Sequence, residues 1–207
     1  MIAVVDYEAG NLTSVETALR YLNASFRVTS DPDVLLKSDK VIFPGVGEAR
    51  HAMGILAERG LDEALKDFAS SGKPLFGICL GCQILQDHSE ERDVGLLGII
   101  PGDVRLFPKN RNVKVPQIGW NTIQHDESEL FSGIPQESSF YFVHSYYLST
   151  ALTDETPSPW VAARSEYGIE FAAAVHKDNV WATQFHPEKS GNPGLKILKN
   201  FSEWKSC

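Results

Sequence analysis

The chain has 207 residues, 43% of them hydrophobic, with a net charge of −8 and an isoelectric point near 5.2. That length supports one sizeable core but not two comfortable ones, so a single domain over residues 1–207 is expected. The acidic balance excludes a nucleic-acid duty, which needs concentrated Lys and Arg, and no apolar run approaches the roughly 18 residues of a membrane span.

Ile2–Val5 reads as a buried strand, and Asn11 caps a helix carrying Leu12, Val15, Leu19 and Leu22 on one face. Lys40–Phe43 is a second short strand, followed by the turn Pro44-Gly45-Val46-Gly47. Helical spacing over Ala49–Glu58 and Leu61–Ser70 leads to a third strand, Leu75–Ile78. Residues 109–114 form a short basic stretch that lacks aromatics and reads as a solvated loop. From Gly102–Thr122 onward the pattern is β-rich, through Phe140–Leu148, Trp160–Arg164, Phe171–His176 and Val180–Phe185, all read as antiparallel strands extending or flanking the parallel core, and it closes with a helix over Gly194–Trp204. The expected fold is α/β: a mostly parallel central sheet flanked by helices, with added antiparallel strands.

The stretch Gly77-Ile78-Cys79-Leu80-Gly81 follows the strand directly and has the form of a nucleophile elbow. Glycines on either side permit a strained turn and close strand–helix packing. The helix that follows aims unpaired N–H groups and its positive end at the Cys79 sulfur, which favours a thiolate. Two other readings stay open on these residues alone: ordinary core packing, and a C-x-x-C redox pair of Cys79 with Cys82. With Cys207 the chain has three cysteines, which argues against a disulfide framework and fits the reducing cytoplasm.

A second motif, His186-Pro187-Glu188, follows the strand at Val180–Phe185. Proline pushes His186 into extended backbone, where residues two apart project to one side, so His186 and Glu188 are expected to be neighbours. A thiol nucleophile needs a base in reach and a group to orient that base. Cys79, His186 and Glu188 supply those roles. Pro44–Gly47 reads as a plain turn or as one half of an oxyanion hole, with the Leu80 N–H as the other half. Six scattered histidines without ligand spacing imply no metal, and no pattern calls for another cofactor.

In this order the elbow, the Pro-Gly-Val-Gly segment and His-Pro-Glu resemble the class I (triad) glutamine amidotransferases over nearly the whole chain. Within that class the chain is similar to the glutaminase subunits of histidine biosynthesis. The residues that carry this are Asp6-Tyr7, Gly10-Asn11-Leu12, Gly119-Trp120-Asn121, Tyr141–Tyr146 and Gln184–Ser190. The resemblance implies that Cys79 attacks glutamine, His186 moves the protons and Glu188 orients His186. It places the oxyanion at Val46, Gly47 and Leu80, and the substrate at Gln83, His144, Ser145 and Tyr146.

It further implies a (β/α)8-barrel cyclase partner, which joins the ammonia to a ribulotide, docked through Asn11, Trp120 and Lys189. Taken alone, Trp120 reads equally as an exposed anchor or a core residue, and Lys189 as a solvated charge. Glu8 and Gln117 depart from the family's usual glycine and histidine, where partner recognition is expected. They leave room for a paralogue that feeds a different ammonia-dependent synthase, such as a sugar amidotransferase.

Overall fold

The computed structural model describes residues 1–8, 12–108, 113–153 and 156–205. Strand β1 (Ile2–Val5) leads through α1 (Leu12–Tyr21), β2 (Phe26–Thr29), α2 (Pro32–Lys37), β3 (Lys40–Gly45), α3 (Ala49–Glu58) and α4 (Leu61–Ser70) to β4 (Leu75–Cys79) and the five-residue α5 (Leu80–Ile84). There follow β5 (His88–Ser89), β6 (Val94–Gly95), β7 (Asp103–Leu106), β8 (Gln117–Thr122), β9 (Gln124–His125), β10 (Ser139–His144) and β11 (Tyr146–Leu148). The remainder is β12 (Ala151–Thr153), β13 (Thr156–Pro157), β14 (Val161–Glu166), β15 (Glu170–Lys177), β16 (Val180–Thr183) and α6 (Gly191–Glu203). The Asn11 cap and residues 109–112 lie outside the described residues.

Among the described residues, one mixed sheet runs in the order β2-β1-β3-β4-β16-β15-β11-β7-β5-β6, with β14 on β15 and β9 on β14. β2, β1, β3, β4 and β16 are parallel, and β15 turns the sheet antiparallel. This corrects one expectation: the strand beginning at Val180 is antiparallel to β15 but belongs to the parallel core, paired with β4. All four of its residues are buried, as befits a strand covered on both faces. β8 and β10 form a separate two-stranded ribbon.

Helices cover both faces. On one, Val15 and Leu19 of α1 and Ile197, Leu198 and Phe201 of α6 pack with Ile42, Phe76 and Trp181. On the other, Leu35, Leu56, Leu65 and Phe68 pack with Val41, Phe43 and Leu75. α4 buries Leu61, Ala64, Leu65 and Phe68, the i, i+3, i+4, i+7 stripe of a surface helix. Each fully buried large side chain contributes about 1.5–3 kcal/mol. β2 and α2 have no counterpart among the expected elements. β2 is a half-exposed edge strand of four residues, and α2 has six, started by Pro32 and by Asp31, whose carboxylate accepts the Asp33 N–H at 2.9 Å.

Candidate active site

β3, β4 and β16 lie side by side with their C-terminal ends together, the edge where open α/β sheets place ligands. Gly45 pairs with Cys79 and Thr183 with Ile78, so three chain segments leave the sheet around one sulfur. Cys79 ends β4 at φ 55°, ψ −108°, a positive φ that a non-glycine residue adopts only where its surroundings enforce it. The enforcement is packing. A Cβ on Gly81 would stand 1.9 Å from the Phe43 carbonyl oxygen, and one on Gly77 2.7 Å from Leu85 Cδ1. α5 has only five residues. What it offers the site is the unsatisfied N–H groups of its first turn, beginning at Leu80, rather than a long-helix dipole.

Beyond β16, His186 is extended (φ −97°, ψ 96°), but Pro187–Lys189 curl into a 3-10 turn. The closeness of His186 and Glu188 therefore arises from the turn and not from an extended strand. The Pro187 ring fixes φ for a first helical position and folds the chain back. His186 Nδ1 meets Glu188 Oε1 at 2.7 Å, with both side chains only 3% exposed. The carboxylate can only accept, so Nδ1 carries the hydrogen, and buried Nε2 has no hydrogen-bond partner among the described residues. Burial alone would push the His186 imidazolium down. A negative Cys79 beside it and the Glu188 carboxylate outweigh burial and raise it to about 10.

A cavity of about 450 Å³ opens on this cluster. Cys79, His186, Val46, Gly47, Leu80 and Gln83 line it, as do His144, Ser145, Tyr146 and Lys189. Gly47 has φ 105°, where a side chain would be strained. The Gln83 amide nitrogen donates to Tyr146 O and Gln184 Oε1, each at 2.9 Å, which leaves its oxygen as an acceptor.

Three further residues bear on the site that the sequence motifs did not assign to it. Glu91 lines the cavity, takes the Ala49 N–H at 2.8 Å, and has its carboxyl pushed up by burial. Gln184 Nε2 lies 3.9 Å from Cys79 Sγ, as does the Val143 carbonyl. Gln184 and Val143 fall within the stretches that resemble the family; Glu91 sits in an acidic loop with no motif.

Other positions fall elsewhere. Trp120 is 58% exposed on the β8/β10 ribbon beside Ile118 at 64%, which settles the anchor-or-core question for exposure. Gln117 is buried opposite His144 in the same ribbon. Glu8 takes up the left-handed backbone region (φ 65°) and pairs with Arg59. Cys82 is fully buried behind the elbow. Among the described residues no group of three or more His, Cys, Asp or Glu could hold a metal, and no helix is long and apolar enough to cross a membrane.

Burial pushes the His144 imidazole down to about 4, although its Nδ1–H donates to Tyr146 O at 2.8 Å. In the unfolded chain it titrates near 6.5 (the ordinary value), so the unfolded state binds more protons between the two. The stability this provides is complete above about pH 6.5 and is lost as the pH falls through about 4, roughly 3 kcal/mol in all. Urea unfolding of the parent and His144→Gln across that range should diverge by this amount; parallel curves would contradict it.

A family model described as glutamine amidotransferase class-I matches residues 3–204. "Imidazole glycerol phosphate synthase subunit HisH" of Nitratidesulfovibrio vulgaris (strain DSM 19637 / Miyazaki F) is 49% identical over 208 residues, covering 97% of this chain and 95% of that one. The protein of the same name from Herpetosiphon aurantiacus is 48% identical over 206 residues, covering 98% and 94%. Among solved structures, a glutamine amidotransferase from Thermotoga maritima matches at TM-score 0.66 and 16% identity, covering 97% of this chain and 95% of that one. The Trypanosoma brucei CTPS glutaminase domain with bound acivicin matches at 0.65 and 18%, covering 100% and 95%. Identities this low show the fold alone. The chain belongs to the class-I glutamine amidotransferase family and, within it, to the HisH subunits of imidazole glycerol phosphate synthase.

Proposed function

We propose that the chain hydrolyses glutamine through Cys79, His186 and Glu188 and passes the ammonia to a (β/α)8-barrel cyclase, which makes imidazole glycerol phosphate and AICAR from a ribulotide. One observation carries the reading: a cysteine held at positive φ faces the same cavity as a buried His–Glu pair 2.7 Å apart. The Cys79 thiolate attacks the side-chain amide carbon of glutamine. The S–C bond forms and the carbonyl pair moves to oxygen, where the Leu80 N–H and the Val46–Gly47 segment receive it. As the C–N bond breaks, His186 Nε2 gives its proton to the departing ammonia.

Acylation also removes the negative charge that held that proton. His186 is then a base for the water that attacks the thioester, releasing glutamate and restoring the thiolate and imidazolium. The Glu91 carboxylate and the Gln83 oxygen suit the substrate's α-ammonium, and the Ser145–Tyr146 backbone its carboxylate. The exposed Ile118–Trp120 face beside the cavity, with Lys189 at its rim, suits the partner. Asn11, the third interface position, lies outside the described residues.

Because attraction to a negative Cys79 is the largest effect holding the proton on His186, nitrogen-15 NMR of the His186 ring should show it protonated up to about pH 10. Cys79→Ala should lower that midpoint markedly, and an unmoved midpoint would break the electrostatic link. The function is tested by glutamate release from the chain alone, and then with the histidine-pathway cyclase and its ribulotide. Strong stimulation that is lost in Cys79→Ala supports the reading. Cys79-dependent turnover indifferent to that partner points to another ammonia-dependent synthase.

A further inference from the structure

Ser190 is fully buried and takes no part in the chemistry assigned to Cys79, His186 and Glu188. Its hydroxyl accepts the Tyr141 N–H at 2.9 Å and donates to the His186 carbonyl at 2.6 Å. The Tyr141 carbonyl in turn accepts the His186 N–H at 2.9 Å. Three hydrogen bonds thus close a ring between β10 and the backbone of the catalytic base. Among the described residues the His186 carbonyl has one other donor, the Lys189 N–H at 3.1 Å, which belongs to the same turn and ties it to nothing outside.

The ring also fixes how β10 faces its neighbours. Both backbone groups of Tyr141 turn toward His186, so Tyr141 and Trp120, opposite each other in the ribbon, are a non-hydrogen-bonded pair. Two residues on, the same strand edge sets the Val143 carbonyl 3.9 Å from Cys79 Sγ. One edge therefore touches nucleophile and base, and Ser190 is the only side chain in the ring.

We propose that Ser190 is a positioning residue for the triad, its hydroxyl pinning the His186 backbone to β10 so that one strand sets the base relative to Cys79. The proposal rests on the glutaminase reading. The glutamine-holding groups are outside the ring: Gln83 is fixed by Tyr146 and Gln184, Glu91 by Ala49, and the Ser145–Tyr146 backbone, beyond the end of β10, by the Phe107 N–H on Ser145 O and by pairing with β7. Loss of the hydroxyl should therefore strike turnover and leave substrate binding alone.

The test is glutamate release by Ser190→Ala and Ser190→Cys under the conditions that activate the parent, per site titrated with a chloromethyl ketone analogue of glutamine. Titration removes any loss of folded protein from the comparison. The expected result is a kcat at least about tenfold lower in Ser190→Ala, a smaller loss in Ser190→Cys, and KM within about twofold, since a small displacement of a catalytic group costs rate. An unchanged kcat, or a change confined to KM, would overturn the proposal. Should neither variant fold, amide exchange in the parent decides: the ring predicts strong protection of the Tyr141 and His186 N–H groups, and fast exchange at either overturns it. A parent with no Cys79-dependent glutamate release would sink the glutaminase reading, while the exchange experiment would still report on the ring.

Discussion

His186→Asn should lower glutamate release by at least about a thousandfold at neutral pH, because two proton transfers pass through the lost ring nitrogen. Asparagine is the informative replacement, since its amide can still donate to Glu188 Oε1, which His186 Nδ1 meets at 2.7 Å. Alanine would leave that 3%-exposed carboxylate without a donor, mixing a stability loss of about 3–5 kcal/mol into the kinetics. Groups that act as a unit are not additive, so combining His186→Asn with Cys79→Ala should cost little more than Cys79→Ala alone. Single-turnover glutamate formation checks this. A His186→Asn protein that keeps a tenth of the parental rate would remove His186 from the proton path.

Gly81→Ala should destabilise the fold by about 3 kcal/mol or more, because the added methyl would sit 1.9 Å from the Phe43 carbonyl oxygen. That oxygen belongs to the central strand β3 and cannot rotate away as a side chain would. Relief requires α5 to lift from the sheet, which would also shift Cys79 at the preceding strand end. The variant should lose its titratable nucleophile together with its stability. Gly54, in the middle of α3 with nothing within 4 Å of its would-be Cβ, is the control. Gly54→Ala should be neutral to slightly stabilising, since alanine is the better helix former. A Gly81→Ala protein with parental urea midpoint and activity would refute the packing origin of the elbow's strain.

Local features of this chain are legible in its residues, and pairings much less so. α3 and α4 occupy their expected spans because their apolar residues recur at helical spacing, and that signal needs no tertiary information. The partner of β16 is invisible in its own residues, which read alike beside a parallel or an antiparallel neighbour. The nearness of His186 to Glu188 is legible but its cause is not, because a 3-10 turn and an extended dipeptide share the same His-Pro-Glu letters.

Gln184 and Ser190 stand inside a recognisable stretch without a readable task. Their partners, Gln83 and Tyr141, lie 101 and 49 residues away. Trp120 becomes legible only with the ribbon. There the pattern is inverted, with Gln117 buried while Ile118 and Trp120 face outward. That exposed apolar pair is the surface the proposed docking of the partner would cover.

Everything proposed for the site turns on Cys79 carrying the glutamyl group. Rapid acid quench of the activated protein with glutamine, followed by peptide mass spectrometry, reads that step itself. The expected product is a γ-glutamyl thioester on the peptide containing Cys79, appearing no later than the first glutamate and absent from Cys79→Ala. Glutamate released at full rate with Cys79 never modified would contradict it.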